Sequence, residues 1–183
     1  SMFSFHATKV FNTIEGGGLT FSDPELSRRL QAWRQFGQIG SDNPESVGTN
    51  AKLTEPAAAM GICNLRYVDE NIQKRRVVCD RYREHLDDVP GIVLNPIPQG
   101  VRENYSYFPV LFDPVCFGRS RDEVADVLAL NDIYARRYFH PLTSHFSAYG
   151  DRFATSSTPK AEQVSERVLT LPLYADLALD DVD

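Results

Sequence analysis

No apolar run in the chain approaches the roughly 20 residues that a membrane-spanning helix needs. No signal-peptide pattern precedes its first motif. Cysteine is scarce, at three in 183 residues. Cys63, Cys79 and Cys116 are widely spaced and lack a paired metal-ligand spacing such as Cys-x-x-Cys, so no metal site is expected. An odd number of scattered thiols suits a reducing cytoplasm, with each cysteine a small core hydrophobe. Basic residues are outnumbered, 19 Lys and Arg against 25 Asp and Glu, for a net charge of −6. That balance favours solubility and argues against nucleic-acid binding through a basic surface. The local cluster Lys74-Arg75-Arg76 falls in a mixed-charge helical stretch and reads as a solvated face. Internal repeats and low-complexity segments are also absent. What remains is a chain with 42% hydrophobic residues, ordinary for a globular protein and long enough for one domain or two small ones.

The most informative stretch is Ser4-Phe5-His6-Ala7-Thr8-Lys9, continuing to Glu15-Gly16-Gly17-Gly18. Lys9 is a lone lysine among hydroxyl and aromatic neighbours. A lysine packed among apolar groups has its ammonium form disfavoured, which makes the amine a usable nucleophile for a carbonyl. That is the chemistry of a Schiff-base lysine. Ser4 and Thr8 supply hydroxyls nearby, and the glycines permit close backbone approach to a ligand. A plainer reading is a buried strand and tight turn with Lys9 reaching to the surface.

Residues 3–6 and 17–21 read as two short strands around the lysine loop. Ser22 and Glu25 form a capping-box pattern with Pro24 in the first turn, and Leu26, Leu30 and Trp33 mark one helix face. A glycine-, serine- and asparagine-bearing loop follows over 36–49. Thr54 caps a helix opened by Glu55 and Pro56, in which Ala57, Ala58, Ala59 and Gly61 permit close packing. A long helix is predicted over about 65–87, its stripe of Leu65, Val68, Ile72, Cys79, Tyr82 and Leu86 interrupted by Arg75. Strands are then predicted at 92–94, 104–112 and 133–139, with a helix from Ser120 to about Leu130 and another from Thr158-Pro159. These make a strand-helix-strand layer, as in a small α/β domain. Arginine, tyrosine and histidine in Arg137-Tyr138-Phe139-His140-Pro141-Leu142 have the chemistry to bind a pyrophosphate or sugar hydroxyls. The plain alternative is a strand end whose histidine has no ligand.

Three segments resemble the DegT/DnrJ/EryC1/StrS family of sugar-nucleotide aminotransferases. They are Ser4-Phe5-His6-Ala7-Thr8-Lys9 with its Glu-Gly-Gly, Gly48-Thr49-Asn50-Ala51-Lys52-Leu53 with Glu55, and Leu171-Pro172-Leu173-Tyr174. Tyr138-Phe139-His140-Pro141-Leu142 continues the likeness. The resemblance implies a pyridoxal 5'-phosphate (PLP) cofactor, with Lys9 bound to its aldehyde and acting in catalysis. Ser4 is implied at the cofactor phosphate, and Asn50 at the same phosphate from a partner subunit. Tyr138 and His140 are implied near the substrate. The implied fold class is α/β: a lysine-loop remnant of the large PLP domain of an aspartate-aminotransferase-like (type I) fold over 1–64. A linking helix and small C-terminal α/β domain would occupy 65–183.

The likeness covers only the C-terminal part of the family's sequence. Family segments ahead of the one matching Ser4 supply a phosphate-binding loop, a ring stacked on the pyridine and an acidic partner for its nitrogen. No residue here is assigned to those jobs. The implied function is therefore the C-terminal portion of a transaminase for a nucleotide-linked keto sugar and an amino-acid donor, weak or inactive by itself. A homodimer or higher homo-oligomer without nucleic-acid or membrane partners is expected, in the cytoplasm. The alternative is a non-catalytic, stand-alone domain from a truncated gene that folds and self-associates. A cofactor-free Schiff-base lyase ranks last, since Lys9 has no evident acid-base partner. Ser1 ahead of Met2 reads as a vector-derived residue.

Overall fold

A computed structural model describes residues 1–40, 42–153 and 157–183. The chain divides into two units, Ser1–Glu70 and Asn71–Asp183. In the first, strands β1 (Met2–Ser4) and β2 (Gly17–Leu19) pair antiparallel with Phe3 opposite Gly18. The twelve-residue loop between them begins and ends on backbone bonds, Phe5 N to Gly16 O and Thr13 N to Phe5 O, both 2.9 Å. Helix α1 (Pro24–Arg34) is capped by Asp23, whose carboxylate accepts from Glu25 N at 2.9 Å. The predicted Ser22 cap is thus displaced by one residue, because Asp23 places its carboxylate on the first free amides. Helix α2 (Glu55–Asn64) starts as expected on Thr54, whose hydroxyl accepts from Ala57 N. Of its four small residues, Ala57 and Gly61 are buried.

The second unit contains most of helix α3 (Val68–Leu86) and a three-stranded antiparallel sheet of order β3 (Ile92–Leu94), β4 (Phe108–Phe112), β5 (Val168–Leu171). Phe108, Val110 and Phe112 alternate into the core from β4, and Val110 pairs with Leu169 of β5, both with no exposed surface. Full burial of such side chains stabilises by about 1.5–3 kcal/mol each. Val78, Cys79 and Tyr82 of α3 complete this core, with Tyr82 stacked on Phe108 at 4.8 Å. Burial pushes both the Cys79 thiol and the Tyr82 phenol up to about 12. The Tyr82 hydroxyl donates to Pro172 O at 3.0 Å.

Arg75, the gap in the α3 stripe, is half-buried, unlike its exposed neighbours Lys74 and Arg76. Its Nη1 donates to the carbonyls of Tyr105 (3.3 Å) and Leu173 (3.0 Å), and burial lowers its pKa. It is a strut between loops rather than part of a solvated face.

Helix α4 (Pro114–Phe117) was not anticipated; Asp113 caps it by accepting from Val115 N and Cys116 N. Helix α5 (Arg121–Ala129) shows the full Ser120–Glu123 capping box, and α6 (Pro159–Arg167) leads directly into β5.

Two strand expectations need correction. The first strand starts at Phe108 instead of Asn104. The Asn104 carboxamide oxygen accepts from both N and Oγ of Ser106, and Tyr105 has a positive φ, so 104–107 turns locally. Residues 133–139 form no strand. Only Arg136 bridges β5, exchanging two bonds with Thr170 (3.0 and 2.7 Å). After it, Tyr138 N donates to Arg136 O and His140 N to Arg137 O, which turns the chain away. The third strand is Val168–Leu171. Its Val168, Leu169 and Thr170 are all buried, while Ile133 and Tyr134 are exposed.

Candidate active site

Lys9 lies in the loop between β1 and β2 and is half-buried. Its amide N donates to His6 O at 2.9 Å, and its carbonyl accepts from Asn12 Nδ2 at 3.3 Å. Asn12 is in turn held from α2, because Asn64 Nδ2 donates to Asn12 O at 2.9 Å. Thr13, 3% exposed, donates its hydroxyl to Glu15 O at 2.7 Å. Its methyl group sits over Gly61 of α2, where an added Cβ would come within 2.8 Å. An added Cβ on Gly16 would lie 2.5 Å from the Thr13 hydroxyl. Packing against α2 and the bonds at the two ends of the loop thus fix the backbone that carries the lysine. The edge-to-face contact of Phe5 and Phe11 (5.0 Å) adds an apolar anchor.

Ser4 ends β1 and is exposed; its hydroxyl accepts weakly from His6 N at 3.4 Å. His6 Nδ1 lies 3.0 Å from Thr8 Oγ1, and its Nε2 is 3.6 Å from Glu15. The hydroxyls of Ser4, at the end of β1, and Thr8, in the loop, lie within five residues of Lys9, and this donor set fits an aldehyde carrying a phosphate. Asn50 is exposed, in a segment laid against the end of α1. Thr49 N donates to Trp33 O (2.7 Å), Ala51 N to Arg34 O (3.0 Å), and Asn50 bridges Gln35. The close approach explains Gly48, where a Cβ would meet Gly37 N at 2.2 Å and Trp33 O at 2.9 Å.

Tyr138 and His140 belong to the second unit. With Arg136, Arg137 and Phe139 they line a hollow of about 530 Å³. Arg136 Nη1 donates to the Tyr138 hydroxyl, and Tyr138 stacks parallel on Phe139 at 4.8 Å. Arg137 Nε donates to Asp122 Oδ1 at 2.5 Å. That bond is the chief cause holding the Asp122 carboxyl below the usual range. His140 is exposed.

Sequence reasoning missed Asn12, Thr13, Asn64 and Asp122. The small residues of α2 were its only signal for the packing behind the lysine loop. Asp122 sits in a first helical turn, where an acidic residue needs no other reason.

The profile of the DegT/DnrJ/EryC1/StrS aminotransferase family matches residues 1–183. A dTDP-4-amino-4,6-dideoxy-D-glucose transaminase from Shigella dysenteriae is 37% identical over 181 residues, covering 98% of this chain and 49% of that protein. Among solved structures, DesI with its TDP-sugar product superposes with a TM-score of 0.87 at 34% identity, over 99% of this chain and 46% of that one. A putative sugar aminotransferase from Streptococcus pneumoniae in its PLP form gives 0.87 at 27% identity, over 100% and 48%. The chain spans about half the length of the relatives it matches. Likeness runs from the lysine loop through the whole of the second unit, and the chain belongs to the DegT/DnrJ/EryC1/StrS aminotransferase family.

Proposed function

We propose that the chain is the C-terminal portion of a PLP-dependent aminotransferase that acts on a nucleotide-linked keto sugar with an amino-acid donor. The observation that carries this reading is the half-buried Lys9 on a loop fixed from behind by α2. Bound PLP supplies an aldehyde for that amine and a ring that accepts electrons as charge forms at the substrate carbon. Lys9 Nζ would move a proton between the substrate carbon and the cofactor, as general base and then as general acid. Ser4 Oγ donates to the cofactor phosphate, and Asn50 reaches the same phosphate from a second subunit of a homodimer or higher homo-oligomer. Tyr138 and His140 contact the substrate. No carboxylate of this chain is assigned to the pyridine nitrogen, so this chain alone is expected to be weak or inactive. The setting is the cytoplasm; among the described residues no helix is long and apolar enough to cross a membrane.

Titration of the purified protein with PLP tests the reading. A saturable visible absorption band that disappears in Lys9→Ala is expected; its absence in a folded sample would remove Lys9 from this role.

One observation favours a second reading, a non-catalytic domain that self-associates. In the first unit Phe3, Leu19, Phe21, Trp33 and Leu53 line an apolar hollow of about 710 Å³ while each stays more than two-fifths exposed. Both readings expect self-association, so PLP uptake separates them: self-association seen by sedimentation without Lys9-dependent uptake selects the second.

A further inference from the structure

Asp122 and Arg137 do more than join two surface segments. Arg121, beside Asp122, is 4% exposed, and its Nη1 donates to the carbonyls of Ser165 and Val168 at 3.0 Å each. Its Nε lies 2.9 Å from Asp122 Oδ1. The Asp122 carboxylate thus lies beside a buried cation, an ion pair without hydrogen-bond geometry at Arg121 Nε, and it accepts a hydrogen bond from Arg137 Nε. Arg137 Nη1 and Nη2 have no hydrogen-bond partner among the described residues. An arginine held at Nε presents its two Nη groups as a fixed fork, the geometry that takes two oxyanion oxygens at once. His140 and Arg136 line the same hollow. The ring of Phe139, 66% exposed, stacks on Tyr138 and meets Tyr107 edge-to-face at 6.4 Å, so an aromatic group with exposed surface borders the hollow.

We propose that Asp122 is a positioning residue, holding the Arg137 guanidinium so that its two Nη groups bind the diphosphate of a nucleotide in this hollow. The inference rests on the reading that the protein handles a nucleotide-linked sugar, and it adds two residues to that reading. Arg137 touches the ligand; Asp122 acts only through Arg137.

The sign of one effect separates positioning from simple electrostatics. Asp122 is a negative charge near an anion site, so by Coulomb's law its removal tightens anion binding. Positioning requires the opposite. Calorimetric titration of the 183-residue protein with dTDP and with inorganic pyrophosphate is the test. Arg137→Ala is expected to weaken dTDP binding about tenfold, the loss of a charge-assisted pair of bonds. Asp122→Ala is expected to weaken it about three- to tenfold through loss of the same geometry. Asp122→Asn, which keeps the acceptor oxygen but drops the charge, should bind within about twofold of wild type. Binding by Asp122→Ala as tight as wild type or tighter overturns the proposal, as does no dTDP binding by the wild type. Pyrophosphate binding as tight as dTDP overturns the nucleotide part of it. PLP uptake at Lys9, measured on the same samples, keeps the two readings apart. Uptake with Asp122-independent dTDP binding defeats only the positioning role, whereas dTDP binding that follows Asp122 and Arg137 without uptake supports it and defeats the aminotransferase reading.

Discussion

Replacing Arg121 with Met measures how strongly a buried cation fastens α6 and β5 to the start of α5. Nη1 donates to two carbonyls at the junction of α6 and β5, Ser165 O and Val168 O, that otherwise lack a donor at the helix end. Bonds from a charged donor contribute about 1.5–3 kcal/mol each, so the pair has a gross value of about 3–6 kcal/mol. Against this stands the cost of desolvating the guanidinium, which can cancel much of that gain. Met keeps most of the volume, so little cavity cost is added. The expected net loss is about 2–3 kcal/mol. Urea unfolding followed by far-ultraviolet circular dichroism reads it from the midpoint and slope. Trp33 is the sole tryptophan and lies in the first unit, so its fluorescence serves as an internal control. A Met variant as stable as wild type, or more so, would show that desolvation equals the bonds and that Arg121 is no strut.

Gly48→Ala drives a Cβ into Gly37 N and Trp33 O, both backbone, and is expected to cost about 1–3 kcal/mol in the Trp33 fluorescence transition; an unchanged midpoint would refute the close approach. Cys63 and Cys116 are exposed and Cys79 is buried with its thiol pushed up to about 12, so a thiol reagent should label two sites in the native protein and the third only after unfolding. Rapid labelling of all three would contradict the core. Asp183 is held down to about 2, first by hydrogen bonding to Arg81 and then by His85. A lowered folded pKa means its stabilising contribution is complete above the ordinary carboxylate value and is lost as pH falls from about 4 toward 2. Carboxyl-carbon NMR should show Asp183 titrating in that lower range; a midpoint at the ordinary value would refute the pairing.

The parts of the fold legible in the sequence were those written in local chemistry. Thr54, Ser120 and the Pro-led first turns of α2 and α6 mark helix starts because caps act over three or four residues. The strand error at 133–139 had a different origin. The β-branched and aromatic residues there resembled a strand, but Val168–Leu171 supplies the side chains buried beside Val110, and that competition is settled by tertiary packing. Arg75 shows the same limit. Its place in an apolar stripe was visible, while the carbonyls of Tyr105 and Leu173 that justify it lie 30 and 98 residues away. For the candidate site, Lys9 stood out by its neighbours. The residues that fix its backbone did not, since Asn12, Thr13 and Asn64 are ordinary until α2 is folded against them. The Asp122–Arg137 pair spans 15 residues and left no periodic trace.

The boundary between the two units falls after Glu70, inside the uninterrupted helix Val68–Leu86. This governs how the chain can be dissected for recombinant expression. A piece opening just after Leu86 would discard Val78, Cys79 and Tyr82, three of the eight residues buried in the sheet's core cluster. It would leave the Phe108 face bare and prone to precipitate. Cutting instead at the exposed turn Leu65–Tyr67, where Arg66 N bonds back to Cys63 O, retains the whole helix with the sheet it covers. The seam to respect in cloning is therefore the turn before the helix.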